Sequence, residues 1–151
     1  MENASKALLM AATVLVGVLI LSIGVYLFSI FGDFSSETAK QIEKKKISEF
    51  NAQFYKYLGQ KECRAHDIVT VANLANENNK NNEYTDLDRN TGAYYIKVIV
   101  DGESYEGKTN DTYMKFLKDN PVTNFKCTKV EINNNTKLVK SITFKKINKE
   151  G

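Results

Sequence analysis

The chain has 151 residues, 21 Lys and Arg against 18 Asp and Glu for a net charge of +3, one His, two Cys and no Trp. Its length argues against a multidomain enzyme or a polytopic transporter, and its interspersed charges argue against a nucleic-acid partner. The shortage of His and Cys leaves little for metal or nucleophile chemistry. The 42% hydrophobic content is an average over two unlike parts.

The first part is residues 7–31, a run of 25 residues without a charge. At about 1.5 Å per residue such a helix is about 37 Å long, enough to cross a hydrocarbon core of about 30 Å with some tilt. The apolar region of a signal peptide covers about 7 to 15 residues and ends in small residues, whereas this run stays bulky through Tyr26, Phe28 and Phe31. A retained single-pass transmembrane helix over 7–31 is expected, with a short leader over 1–6 and an exit at Gly32 and Asp33. Two arguments on orientation disagree. The positive-inside rule, applied to Lys40, Lys44, Lys45 and Lys46 against Lys6, places the C-terminal domain in the cytoplasm. Those lysines, however, begin nine residues past Phe31 and are mixed with Asp33, Glu37 and Glu43, which favours the domain outside. Lys44–Lys46 reads as a solvated helix face, because three charges fall short of a lipid-binding cluster.

A stalk is expected over 32–46 and a small α+β domain over 47–148, with a tail at 149–151. Ile42, Ile47, Phe50, Phe54 and Tyr57 or Leu58 recur at helical spacing over 39–58, and Gly59 is a stop signal. A second helix is expected over 64–78 with Ile68, Val71, Ala72 and Ala75 on one face, then an Asn- and Lys-rich loop over 77–83. From Ala93 the period changes to two: Tyr94, Ile96, Val98 and Val100 mark a strand, and Asp101-Gly102 marks a hairpin returning over 103–107. Thr109, Asn110 and Asp111 offer caps to a short helix carrying Tyr113, Phe116 and Leu117, which Asn120-Pro121 ends. A second hairpin follows, with strands over 124–132 and 136–147. Phe125 and Cys127 share one parity and Val130 and Ile132 the other, so a bulge is expected near Thr128.

Candidate sites are few. Cys63 and His66 are three apart, but a structural zinc wants four ligands and only Cys127 remains. The run Asp86 to Gly92 has the alternating oxygens of a calcium loop, yet Thr91 and Lys97 stand where an EF-hand needs Gly and Glu. No phosphate-binding Gly-rich loop is present, and the reading is that the chain is no enzyme, with no cofactor, metal or small-molecule substrate. The cysteines are 64 residues apart. In an oxidising compartment a Cys63–Cys127 disulfide would stabilise the domain by about 3 to 4 kcal/mol in the chain-entropy model; in a reducing one they are two buried thiols. Within the apolar run Ala7 and Ala11, and Gly17 and Gly24, lie near single helical stripes where small residues let helices approach.

This order of elements, an unbroken apolar N-terminal helix continuing into an amphipathic one and then a small sheet carrying a Cys pair, resembles the type IV pilin-like proteins of bacteria and archaea. Prepilins are cut after a Gly before the apolar helix and carry a Glu early in it; here no Gly precedes Gly17, and Glu2 lies before the run. The opening Met1-Glu2-Asn3-Ala4-Ser5-Lys6-Ala7-Leu8 also resembles small single-pass membrane proteins of low-GC Gram-positive bacteria. The expected fold is α+β, a transmembrane helix followed by helices packed on an antiparallel β-sheet of three to four strands. The expected function is a membrane-anchored, pilin-like surface subunit, or else a monomeric anchored accessory domain that binds another cell-envelope protein through its sheet. The expected partners are the lipid bilayer and, through the transmembrane helix, further copies of the chain.

Overall fold

The structure is a computed structural model and describes residues 1–147; the expected tail at 149–151 lies outside the described residues. Helix α1 runs unbroken over Glu2–Leu58. The chain separates into two compact units between Lys45 and Lys46. The first contains the N-terminal part of α1, and its most apolar 18-residue window has a mean hydropathy of 2.7 with none of it buried. This is one helix long and apolar enough to cross a membrane. The helix runs on through Gly32-Asp33 and the stalk at 32–46. An isolated exposed Gly costs a helix only about 1 kcal/mol, too little to stop a segment with strong helix formers on either side.

The second unit begins within α1, where Asn51, Phe54 and Tyr57 are buried at helical spacing and Leu58 is exposed. Gly59 follows the last turn, and Gln60 N–H donates to the Tyr57 carbonyl at 3.2 Å. Strand β1 (Cys63–Arg64) leads directly into α2 (Ala65–Asn81), whose Arg64 N–H donates to Asp67 Oδ2 at 2.8 Å. Ile68, Val71, Ala72, Ala75 and Asn79 form the buried face of α2. Asn-rich residues 77–81, expected as loop, are its last turn, because Asn79 is held in the core by partners distant in sequence.

Strands β2 (Lys97–Val100) and β3 (Glu103–Ser104) form the expected hairpin, pairing Ile99 with Ser104 and Val100 with Glu103. Asp101 has φ 51° and Gly102 φ 91°, the left-handed pair a two-residue turn needs to match the twist of its strands. Helix α3 (Asn110–Asp119) is capped by Thr109, whose side chain accepts from Thr112 N–H. Strands β4 (Asn124–Ile132) and β5 (Val139–Lys146) close the chain, and the ladder slips between Cys127 and Lys129, where the parity change required a bulge.

The sheet has five strands in the order β1-β4-β5-β2-β3. It is mixed: β2 runs parallel to β5, with Val98 beside Ile142 and Val100 beside Phe144, whereas the other pairs are antiparallel. The chain is α+β as expected, a long apolar helix followed by helices packed on a small sheet, and the sheet differs in detail, with five strands rather than three or four and one parallel pair. Each hairpin is legible locally, but the joining of two hairpins edge to edge depends on a crossover through α3. Two-residue β1, hidden between two helices, carries no periodicity to read.

Register assigns the faces. Phe125, Cys127, Ile142, Phe144, Val98 and Val100 lie on one side, and the buried residues of α1, α2 and α3 join them in a single cluster. Rings bridge the layers, Tyr57 against Phe144 at 6.2 Å and Phe116 against Phe125 at 5.7 Å between centroids. Burying each such side chain contributes about 1.5 to 3 kcal/mol.

Candidate functional site

Of the residues singled out in the sequence, Ala7, Ala11, Gly17 and Gly24 all lie on α1 in the first unit, and Cβ atoms built on Gly17 and Gly24 would meet nothing within 4 Å. The chain itself therefore leaves both glycines open to a neighbouring helix or to lipid.

Cys63 and Cys127 are free thiols, so the expected disulfide is not formed. Cys63 lies on β1 opposite Phe125, two residues from Cys127 on the neighbouring strand β4, and both side chains are buried. That offset gives a diagonal rather than a directly facing pair, and diagonal strand positions stand about 7 Å apart, wider than a bridge accepts. Burial pushes the Cys63 thiol up, partly offset by the Cys127 amide against its sulfur. Burial, and then the neighbouring Cys63, push Cys127 up to about 11. Both are protonated at neutral pH and behave as small apolar side chains. His66 is exposed on α2, where its carbonyl accepts from Thr70 Oγ1.

The Asp86 to Gly92 segment forms a 3-10 turn over Asp86–Arg89. Asp88 there accepts from the Thr85 amide and hydroxyl, at 2.8 and 2.9 Å, which holds its carboxyl below the ordinary range. Among the described residues no group of three or more His, Cys, Asp or Glu is placed to share a cation. The turn delivers Arg89 to Glu106, whose carboxylate it meets at 2.9 Å. Glu106 is buried, and its other oxygen accepts from the Val98 amide of β2 at 2.8 Å.

Two asparagines that sequence reasoning missed hold helices to strands. Asn79 of α2 accepts from Ile96 N–H at 2.8 Å and donates to the Ile96 carbonyl at 3.0 Å. It stands in for a neighbouring strand just before β2, which is why the ladder starts at Lys97 although the alternation starts at Ala93. Asn51 of α1 does the same at β5, accepting from Val139 N–H at 2.9 Å and donating to the Lys137 carbonyl at 2.8 Å. Asn76 completes the set, donating to Tyr113 Oη at 3.0 Å and accepting from Gly107 N–H. The available signal was an Asn on the apolar stripe of a helix. In so Asn-rich a chain it does not stand out.

Two surfaces remain as candidates for recognition. A cleft of about 420 Å³ between α3 and the β2–β3 turn is lined by Asp101, Glu103, Asp119, Tyr105, Lys115 and Lys146, among others. Burial first, and then Glu103, Asp101 and Asp119, push the Tyr105 hydroxyl up. The second is the sheet face away from the core. Lys126 and Lys145 are direct partners across β4 and β5, and Lys129, Thr143 and Ile99 form the next row across β4, β5 and β2. Glu131 on that face is taken up by Lys129 and by Ser141 Oγ, whose hydrogen bonds hold its carboxyl below the ordinary range.

No protein-family model matches the chain, and no curated protein sequence and no solved structure matches it.

Proposed function

We propose that the chain is a membrane-anchored structural protein, a pilin-like surface subunit, with the apolar part of α1 in the bilayer and the second unit on the extracytoplasmic side. One observation carries the reading: the apolar window of α1 is entirely unburied by the chain's own residues, in a helix whose last turns supply Asn51, Phe54 and Tyr57 to the core of a small domain. Exposed residues such as Leu19, Ile20, Leu21 and Phe28 are costly in water at about 25 cal/mol per Å² and require lipid or further helices around them. In lipid the apolar effect no longer drives association, so small residues at Gly17 and Gly24 would set the helix contacts.

The test is alkaline carbonate extraction followed by in-membrane crosslinking at native expression. The expected results are retention in the pellet and trapped multimers that disappear in the Gly17→Leu/Gly24→Leu variant. Release into the supernatant, or a mature N-terminus beyond Phe31, refutes the anchor. Retention with only monomer refutes the subunit.

A second reading is favoured by the uncovered outer face of the sheet, namely an anchored accessory domain that binds another cell-envelope protein there. Both readings are non-enzymatic and use no cofactor.

A further inference from the structure

Three features outside the core suggest recognition: the cleft beside Tyr105, the flank of β4 beyond β1, and the outer sheet face. The cleft brings three carboxylates together but also Lys115 and Lys146, so its charge is already compensated. The β4 flank is unpaired past Phe125, yet it carries a bulge and two lysines, features that stop an edge from adding a strand. The outer face is different at one row: Glu131 there is paired with Lys129 and Glu62 is bonded by Asn124, but among the described residues no carboxylate pairs with Lys126 or Lys145.

Lys126 and Lys145 are register partners, so their side chains emerge beside each other on the face opposite the core. Arg64, on β1, flanks them beside Asn124. All three are exposed, and among the described residues neither lysine has a carboxylate within ion-pair distance. Like charges directly opposite each other on a sheet destabilise it, so the fold gains nothing from this pair. By register the outer face of the hairpin carries Lys126, Lys129 and Lys145 against Glu131 alone. The buried apolar residues of the helices belong to the cluster on the other side of the sheet.

We infer that this face docks an acidic segment of a partner protein, with carboxylates placed between Lys126, Lys145 and Arg64. The choice of partner follows from what surrounds the charges. Among the described strand residues the face presents no aromatic ring on which a nucleic-acid base would stack, and no large apolar side chain beyond Ile99, itself half-buried, to insert among lipids. It presents hydroxyls instead, with Thr143 beside Lys129 and Thr128 in the bulge. Alternating cations and hydroxyls on a flat sheet suit the carboxylates and amides of a polypeptide. The inference names the partner chemistry of the accessory-domain reading and rests on that reading for its biological setting.

The test uses the full chain in zwitterionic phosphatidylcholine nanodiscs, with a fluorescein-labelled oligoglutamate peptide followed by anisotropy at low salt. The parent chain should bind, and Lys126→Glu/Lys145→Glu should weaken binding by at least about tenfold, with most of the loss in kon as expected for exposed charges. Lys126→Gln/Lys145→Gln should show an intermediate loss. Lys108→Glu/Lys118→Glu, the same charge change away from this face, should change binding by less than about twofold, since screening isolates charges more than about 10 Å apart. Tyrosine near-UV circular dichroism confirms folding of each variant, and the Gln pair decides the matter if the Glu pair fails to fold. No binding by the parent chain, or an equal loss in the control variant, overturns the inference. So does tighter binding of phosphatidylglycerol vesicles or single-stranded DNA than of the peptide. Carbonate extraction is read separately: a released chain that still binds oligoglutamate refutes the anchor and leaves the docking face standing, whereas a retained chain that ignores the peptide does the reverse.

Discussion

Replacing Asn79 by Ala removes both side-chain bonds to Ile96 and puts nothing in their place. Ile96 is 1% exposed, and both bonds are buried, so water cannot reach the orphaned amide and carbonyl without opening the gap between α2 and β2. Each unsatisfied buried group costs about 1 to 3 kcal/mol. Part of this is offset because Ala, unlike Asn, needs no desolvation, which leaves an expected loss of about 2 to 4 kcal/mol. For a domain of about 100 residues this lowers the Tm by at least about 8 °C. The assay is thermal unfolding of the detergent-solubilised chain by tyrosine near-UV circular dichroism, because far-UV signal is dominated by α1. Asn81→Ala, at an exposed position on the same helix, should change stability by less than about 0.5 kcal/mol. The Asp variant adds a signature of its own. A carboxylate would set one oxygen against the Ile96 carbonyl, so the folded state favours the protonated acid and raises its pKa above the ordinary value of about 3.9. The stability of Asn79→Asp is then fully present below about pH 4 and lost as the pH rises through the folded value. If Asn79→Ala unfolds with the parent chain, or Asn79→Asp shows no such pH dependence, the strand-mimic argument is wrong.

Two further outcomes follow from buried groups. Arg89→Ala strands the Glu106 carboxylate, whose side chain is 1% exposed, and should cost about 3 kcal/mol; adding Glu106→Gln should recover part of it, and strictly additive losses in chemical denaturation would contradict the pairing. Cys63 and Cys127 should resist iodoacetamide in the native chain at neutral pH and both react once unfolded, since burial hides them and raises their pKa, that of Cys127 to about 11. Prompt native labelling of either, or two unreactive sulfurs after unfolding without reductant, refutes the free, buried thiols.

Much of the local structure was legible because it is decided by neighbours in sequence. The uncharged run at 7–31 needs only its composition to form an apolar helix. Asp101-Gly102 specifies its turn because those residue types tolerate positive φ, and the parity change between Cys127 and Val130 specifies a bulge because a strand cannot put two faces in the core. Thr109 and Asn120-Pro121 bound α3 for equally local reasons. Sequence patterning did not reveal which strands lie side by side. The parallel contact of β2 with β5 depends on α3 packing its Tyr113 and Phe116 into the shared core, an event between distant segments that leaves no local period. The same holds for the surface and the clamps. Lys126 and Lys145 are unremarkable lysines until register sets them opposite each other, and Asn51, Asn79 and Glu106 are ordinary polar residues until a strand end arrives to be bonded. Cys63 and Cys127 make the converse case: an even count suggested a bridge, but whether one forms is set by a diagonal strand offset that only the assembled sheet defines. Composition and period fix where a chain is apolar and how each segment coils, because those energies are summed over adjacent residues. Pairing, register and the partnering of buried polar groups are settled only when the sheet closes, because each depends on the geometry of segments that meet across the core.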